Sequence, residues 1–263
     1  ITKECRLTRV PVVDSHHHFW EIEKFDYSWM PEGSPLATDY GPGDLEPLIK
    51  DAGVDYTVIV QAVSSPEEAK WLLEMAEQHD FIAGVVGWVD LTDPDVGYTL
   101  DELQRSKYFK GVRHIWEGED DPGWIVNSGA IVGLKELVRR HLTFDFLANP
   151  ANLPFIPRVM DQVPDLRAVV DHIAKPLIAD HVVEPWLSDM RKVASINGIH
   201  CKVSGMVTEA DQQNWTVLQG EGFPQLTAHN VILYIVHPVI AKLTVAQPLH
   251  CIVFIKSMLG FCG

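Results

Sequence analysis

Three consecutive histidines, His16, His17 and His18, close an apolar run that begins at Val10. In a strand, neighbouring side chains point to opposite faces, so His16 and His18 share one face and His17 takes the other. Two imidazoles placed in that way hold one Zn²⁺ or polarise one carbonyl. A solvated histidine cluster or a tag remnant would explain the triplet more plainly, but this one sits behind an apolar strand rather than at a terminus. His172 ends a second run, Arg167-Ala168-Val169-Val170-Asp171-His172. A bond to a backbone carbonyl would account for it equally well. Arg113 and His114 follow Gly111-Val112. The glycine permits close packing there, and the arginine has the fork that grips carboxylates or hydroxyls. An internal ion pair with one of the 36 acidic residues is as good an explanation. Lys202 and Ser204 flank another short strand, where the lysine reads as a solvated side chain rather than an acid–base group. Tyr27 and Trp29 lie in the loop after the first strand, where they either contact a substrate ring or pack beneath the loop.

The elements that must position these residues alternate along the chain. Runs apolar on both faces, as in a buried parallel sheet, occur at Val10–His16, Thr57–Val63, Ile82–Val89, Gly111–Trp116, Leu142–Ala148, Arg167–His172 and Ile199–Ser204. Helical spacing falls between them. Leu45, Leu48, Ile49 and Ala52 form one stripe, with Asp44 as expected N-cap and Gly53 as stop. Ser65 caps a second helix, with Pro66 at its first position and Glu67 and Glu68 in its first turn. Leu134, Leu137 and Val138 mark a third; Phe155, Val159 and Val163 a fourth; Leu187, Met190, Val193 and Ala194 a fifth. Such alternation predicts right-handed βαβ units, closed as a TIM-type (β/α)8 barrel one strand short, or open as a doubly wound sheet. No GxGxxG or GxxxxGK[ST] follows the first strand, so a nucleotide-binding fold has no local support.

Bulk composition narrows the function. One domain suits 263 residues. A net charge of −15 argues against a nucleic-acid partner, which needs a basic face. No run of 18 apolar residues predicts a membrane span. Four scattered cysteines without a CxxC pair, and no apolar leader near Ile1, predict a reducing, cytoplasmic setting. A homo-oligomer is compatible with this composition.

Several motifs together resemble one family. VVDSHHHFW, FDYSWMPEGSPLATDYGPGDLEPL, KGVRHIWEGEDDP, VVDHIAKP and CKVSGMVTEAD are similar to the amidohydrolase-related group. That group includes sugar-lactone hydrolases of the fucono- and rhamnono-lactonase types and 2-pyrone-4,6-dicarboxylate hydrolase. The resemblance covers roughly residues 10–216 and implies a (β/α)8 barrel. It places His16 and His18 on the first strand and His172 on the sixth, as ligands of a divalent metal or as groups polarising a carbonyl without one. It sets Arg113 near the substrate and implies hydrolysis of a cyclic ester, with an aspartate of the eighth strand as general base.

The chain departs from that pattern after Thr216. Residues 1–216 are expected to form strands one to seven, and 217–263 an unrelated tail in place of the eighth strand. The last 42 residues hold Lys242, Lys256 and no acidic residue, which leaves −17 to the first 221, since the whole carries −15. These 42 residues therefore supply no carboxylate, and their His229, His237 and His250 have no assigned place. Asp14, Asp145 and Asp171 are the alternative bases. The expected function is a lactonase-like hydrolase acting on a small molecule. The alternatives are an inactive truncated variant serving as a binding or oligomerisation partner, a decarboxylase or hydratase of the same superfamily, and a non-enzymatic metal binder.

Overall fold

A computed structural model describes residues 11–211 of the protein, apart from 32, 35 and 207. Strand and helix alternate throughout: β1 (Val13–His17), α1 (Pro42–Ala52), β2 (Tyr56–Val60), α2 (Pro66–Gln78), β3 (Ile82–Gly87), α3 (Val96–Leu103), β4 (Phe109–His114), α4 (Ser128–Arg139), β5 (Thr143–Phe146), α5 (Ile156–Gln162), β6 (Arg167–Val170), α6 (Trp186–Ala194) and β7 (Ile199–Cys201). Each strand pairs in parallel with the next, so the sheet order is the chain order. A doubly wound sheet reverses its order at a switch point; this one winds in a single direction, as a barrel does. In a flat sheet, strands about 4.8 Å apart would put β1 and β7 roughly 29 Å from each other. Instead His16 of β1 and Lys202, next after β7, meet at 3.1 Å. The sheet is curled into an incomplete α/β barrel among the described residues.

Local chemistry explains most boundaries. Ser65 Oγ accepts from the Glu67 and Glu68 N–H groups and starts α2 as expected. Gly53 stops α1 at φ 71°. Asp44 is not the N-cap: α1 begins at Pro42 after Gly41, and the Asp44 carboxylate reaches back to accept from Gly41 N at 2.9 Å. Leu45 and Ile49 are buried on α1 while Leu48 stays 41% exposed, so the inward stripe is narrower than expected. The α3 helix has no counterpart in the expected elements. Its eight residues bury Val96, Leu100 and Leu103, a stripe too short to stand out from the surrounding turn residues. Most strands end earlier than their apolar runs, because those runs continue into buried segments beyond the last sheet bond.

Two glycines allow close approach. A Cβ at Gly111 of β4 would strike Thr143 of β5, which bears out its expected packing role. A Cβ at Gly133 of α4 would strike the Leu91 backbone carbonyl. Gly133→Ala is expected to lower stability by about 1–3 kcal/mol through overpacking, read as an earlier urea midpoint at unchanged slope. The tail with its histidines, and Cys5, Cys251 and Cys262, lie outside the described residues; Cys201 is a free, buried thiol. No described helix is long and apolar enough to cross a membrane.

Candidate active site

The C-terminal ends of β1, β4 and β6 deliver His16, His18, Arg113 and His172 to one place. His16 and His18 do share a face: their Nε2 atoms are 3.2 Å apart. His17 turns the other way, to Thr57 Oγ1 at 2.9 Å and the Phe19 ring. The rings of His16 and His172 lie 4.6 Å apart, centre to centre. Arg113 Nη1 faces Asp171 Oδ2 at 3.5 Å.

His172 is held by unusual backbone. Residues His172, Ile173, Ala174 and Lys175 all have φ between 44° and 54°, a left-handed run without a glycine. Such a conformation costs roughly 1–2 kcal/mol per residue and persists only where the surroundings impose it. Here Ile173 N donates to Lys202 O at 3.0 Å, and Trp186 Nε1 donates to Ile173 O at 2.7 Å. The ring itself is fixed by Ser204 Oγ, 2.8 Å from Nδ1. Gly205 packs behind it, where a Cβ would come within 2.9 Å of the His172 Cβ.

The residues just after β2 form a second scaffold. Val60 O accepts from His18 Nδ1 at 2.7 Å, Gln61 O from Arg113 Nη2 at 2.5 Å, and Ala62 O from Trp29 Nε1 at 3.0 Å. Glu68 of α2 anchors this stretch from below, accepting from Ala62 N and Val63 N. Burial raises its carboxyl from 4.5 to about 7, against the pull of those N–H groups. A raised folded value means stability that is complete below 4.5 and lost as pH rises through 7. The urea midpoint is therefore expected to fall between about pH 4.5 and 7, with a shallower fall in Glu68→Gln; equal slopes would contradict it.

Tyr27 packs within the loop after β1 with Trp20, Leu36, Ala62 and Val63, edge-on to Trp29. Trp29 is 46% exposed. His114 stacks on Trp124 at 4.0 Å and contacts Glu119 Oε1 at 2.6 Å.

Lys202 is the main correction. It is 4% exposed, not solvated. Its Nζ lies 2.6 Å from Asp145 Oδ2, 2.9 Å from Asp171 Oδ1 and 3.1 Å from His16 Nδ1. Burial opposes its charge, but the two carboxylates prevail and raise its pKa. Burial, then the Lys202 charge, holds the His16 imidazole well below its ordinary value, so it is neutral. Burial lowers His172 to about 4. The two aspartates share one ammonium and separate. Burial, then repulsion by Asp171, moves Asp145 up to about 6 although Lys202 pulls it down. Asp171 is also penalised by burial, but the Lys202 charge overturns that and keeps it ionised. Both Asp171 oxygens are buried with charge contacts that lack hydrogen-bond geometry.

The donors suit a divalent ion. Zn–N bonds of about 2.0–2.1 Å put two nitrogens of a tetrahedral site about 3.3–3.4 Å apart. The His16 and His18 Nε2 atoms are 3.2 Å apart. One ligand atom each from His16, Asp171 and His172 also lie within 4.8 Å of one another.

Comparison with known proteins adds a family. The amidohydrolase profile matches residues 13–229. An L-fucono-1,5-lactonase of Burkholderia ambifaria is 37% identical over 199 residues, covering 75% of this chain and 69% of the relative. A second L-fucono-1,5-lactonase, from Burkholderia multivorans, is 33% identical over 206 residues, 76% of this chain and 69% of that one. The crystal structure of an amidohydrolase from Burkholderia multivorans with bound zinc superposes with a TM-score of 0.80 at 29% identity, covering 88% of this chain and 86% of that chain.

Proposed function

Since the chain belongs to the amidohydrolase family and is a hydrolase, we propose that it opens the ring of a sugar-acid lactone, a small-molecule cyclic ester. The observation that carries this reading is the meeting of neutral His16, His18 and His172 with Arg113 and ionised Asp171 at one end of the barrel. The lactonases it resembles at 37% and 33% identity narrow the ester to a lactone.

The lactone carbonyl oxygen lies against the His16 Nε2 proton and the Arg113 guanidinium, which stabilise the negative charge that grows there. Water attacks the carbonyl carbon and gives its proton to Asp171. The ring C–O bond then breaks, the leaving alkoxide takes that proton back, and a hydroxy acid remains. Asp171 is assigned here because it lies against His16, Arg113 and Lys202 and is kept ionised by the Lys202 charge. A divalent ion bound by His16, His18, His172 and Asp171 would act as a Lewis acid on the same carbonyl. Trp29 and His114 contact the sugar ring, and Tyr27 acts through Trp29.

A panel of aldonolactones, including L-fucono-1,5-lactone, followed by pH indicator with and without added Zn²⁺, tests this. Saturable ring opening of at least one sugar lactone is expected. Turnover of amides with none of any lactone would overturn the substrate assignment while leaving the family in place.

A further inference from the structure

Hydrogen-bond direction fixes each proton on a line from Val60 to Asp145. The Val60 carbonyl only accepts, so His18 Nδ1 carries the proton and donates to it across 2.7 Å. His18 Nε2 is then a lone pair, and His16 Nε2, 3.2 Å away, is the donor. That leaves His16 Nδ1 as a lone pair. Facing it at 3.1 Å is Lys202 Nζ, which has only protons to give. The ammonium gives protons to His16 Nδ1 and Asp145 Oδ2, and its charge faces Asp171 Oδ1 at 2.9 Å. Every link agrees, with neutral imidazoles and a charged lysine.

We propose that Lys202 is a positioning residue that holds His16 in the tautomer with its proton on Nε2, and so opposes capture of a divalent ion by the His16–His18 pair. An ion shared by the two Nε2 atoms needs a lone pair on each. The His16 proton would have to move to Nδ1, where it would face an ammonium at 3.1 Å, with Asp171 Oδ1 at a longer 3.5 Å as the acceptor. The buried lysine charge also repels a dication. Zinc therefore binds only when Lys202 turns away from His16. With Lys202 in place, His16 Nε2–H is a donor that can pass from His18 to a substrate carbonyl. This inference rests on His16 and His18 being the working pair of the proposed site, but not on which substrate they serve.

Two measurements test it without any lactone, so its failure is separate from that of the lactonase reading. Long-range ¹H–¹⁵N spectra of the labelled chain report the histidine tautomers; His16 is expected to show a bare Nδ1 and a protonated Nε2. Zinc affinity, by competition with a chromophoric chelator, is compared among the wild type, Asp145→Asn and the double variant Lys202→Met/Asp145→Asn. The double variant removes an ion pair together rather than stranding Asp145. Zinc is expected to bind it about 10–100-fold more tightly than Asp145→Asn, the scale on which residues behind metal ligands act. A His16 protonated on Nδ1 in the wild type would overturn the proposal. Equal or weaker zinc binding by the folded double variant would do the same. If that variant does not fold, the wild-type spectrum decides alone.

Discussion

Asp171→Asn is expected to lower lactone turnover by about 10²–10⁴-fold, the usual effect of losing a general base. The asparagine keeps the shape of the side chain but cannot take a proton from water. Asp171 is fully buried, and Lys202 and Arg113 hold it ionised. The loss should fall on kcat, with KM little changed, because the carboxylate acts on the attacking water rather than on the sugar. Circular dichroism and the urea midpoint show whether the variant is folded. A folded Asp171→Asn with wild-type kcat would move the base elsewhere, and Asp145, raised to about 6, would be next in line.

The second large effect is on stability. Lys202→Met should cost about 3–5 kcal/mol, because removing one partner strands buried charge. Lys202 lies against two carboxylates that are each 2% exposed or less. Without the ammonium both carboxyls titrate above their unfolded value of about 3.9. The variant should then be most stable below that value and lose stability as pH rises, the sign expected for a raised folded pKa. Adding Asp145→Asn should restore part of the loss and flatten the pH slope. A Lys202→Met protein as stable as the wild type at neutral pH would mean that the ammonium is not the partner of these carboxylates.

Both predictions concern residues whose partnership is far from obvious in the sequence. The alternation of side chains along a strand is enough to set His16 and His18 together and His17 apart, and the family resemblance adds Arg113 and His172 to them. Ser65 and Gly53 mark helix ends by chemistry that acts over three or four residues. Lys202 is different. Its burial depends on the curl that brings the seventh strand round to the first, across 186 residues of chain between it and His16. A lysine beside a short strand carries no local sign of that. The left-handed run from His172 to Lys175 is equally hidden, since it contains no glycine or asparagine. Glu68 shows a third kind of concealment. Its place in the first turn of α2 predicts a helix-dipole partner at the surface, yet it turns inward to hold the loop that supports His18, Arg113 and Trp29.

The most direct test of the account is the rate of L-fucono-1,5-lactone opening by this chain, set beside His16→Ala and the uncatalysed reaction. The account predicts saturable ring opening well above background, falling by orders of magnitude in folded His16→Ala. Ring opening at the background rate, or an equal rate in both proteins, would contradict it.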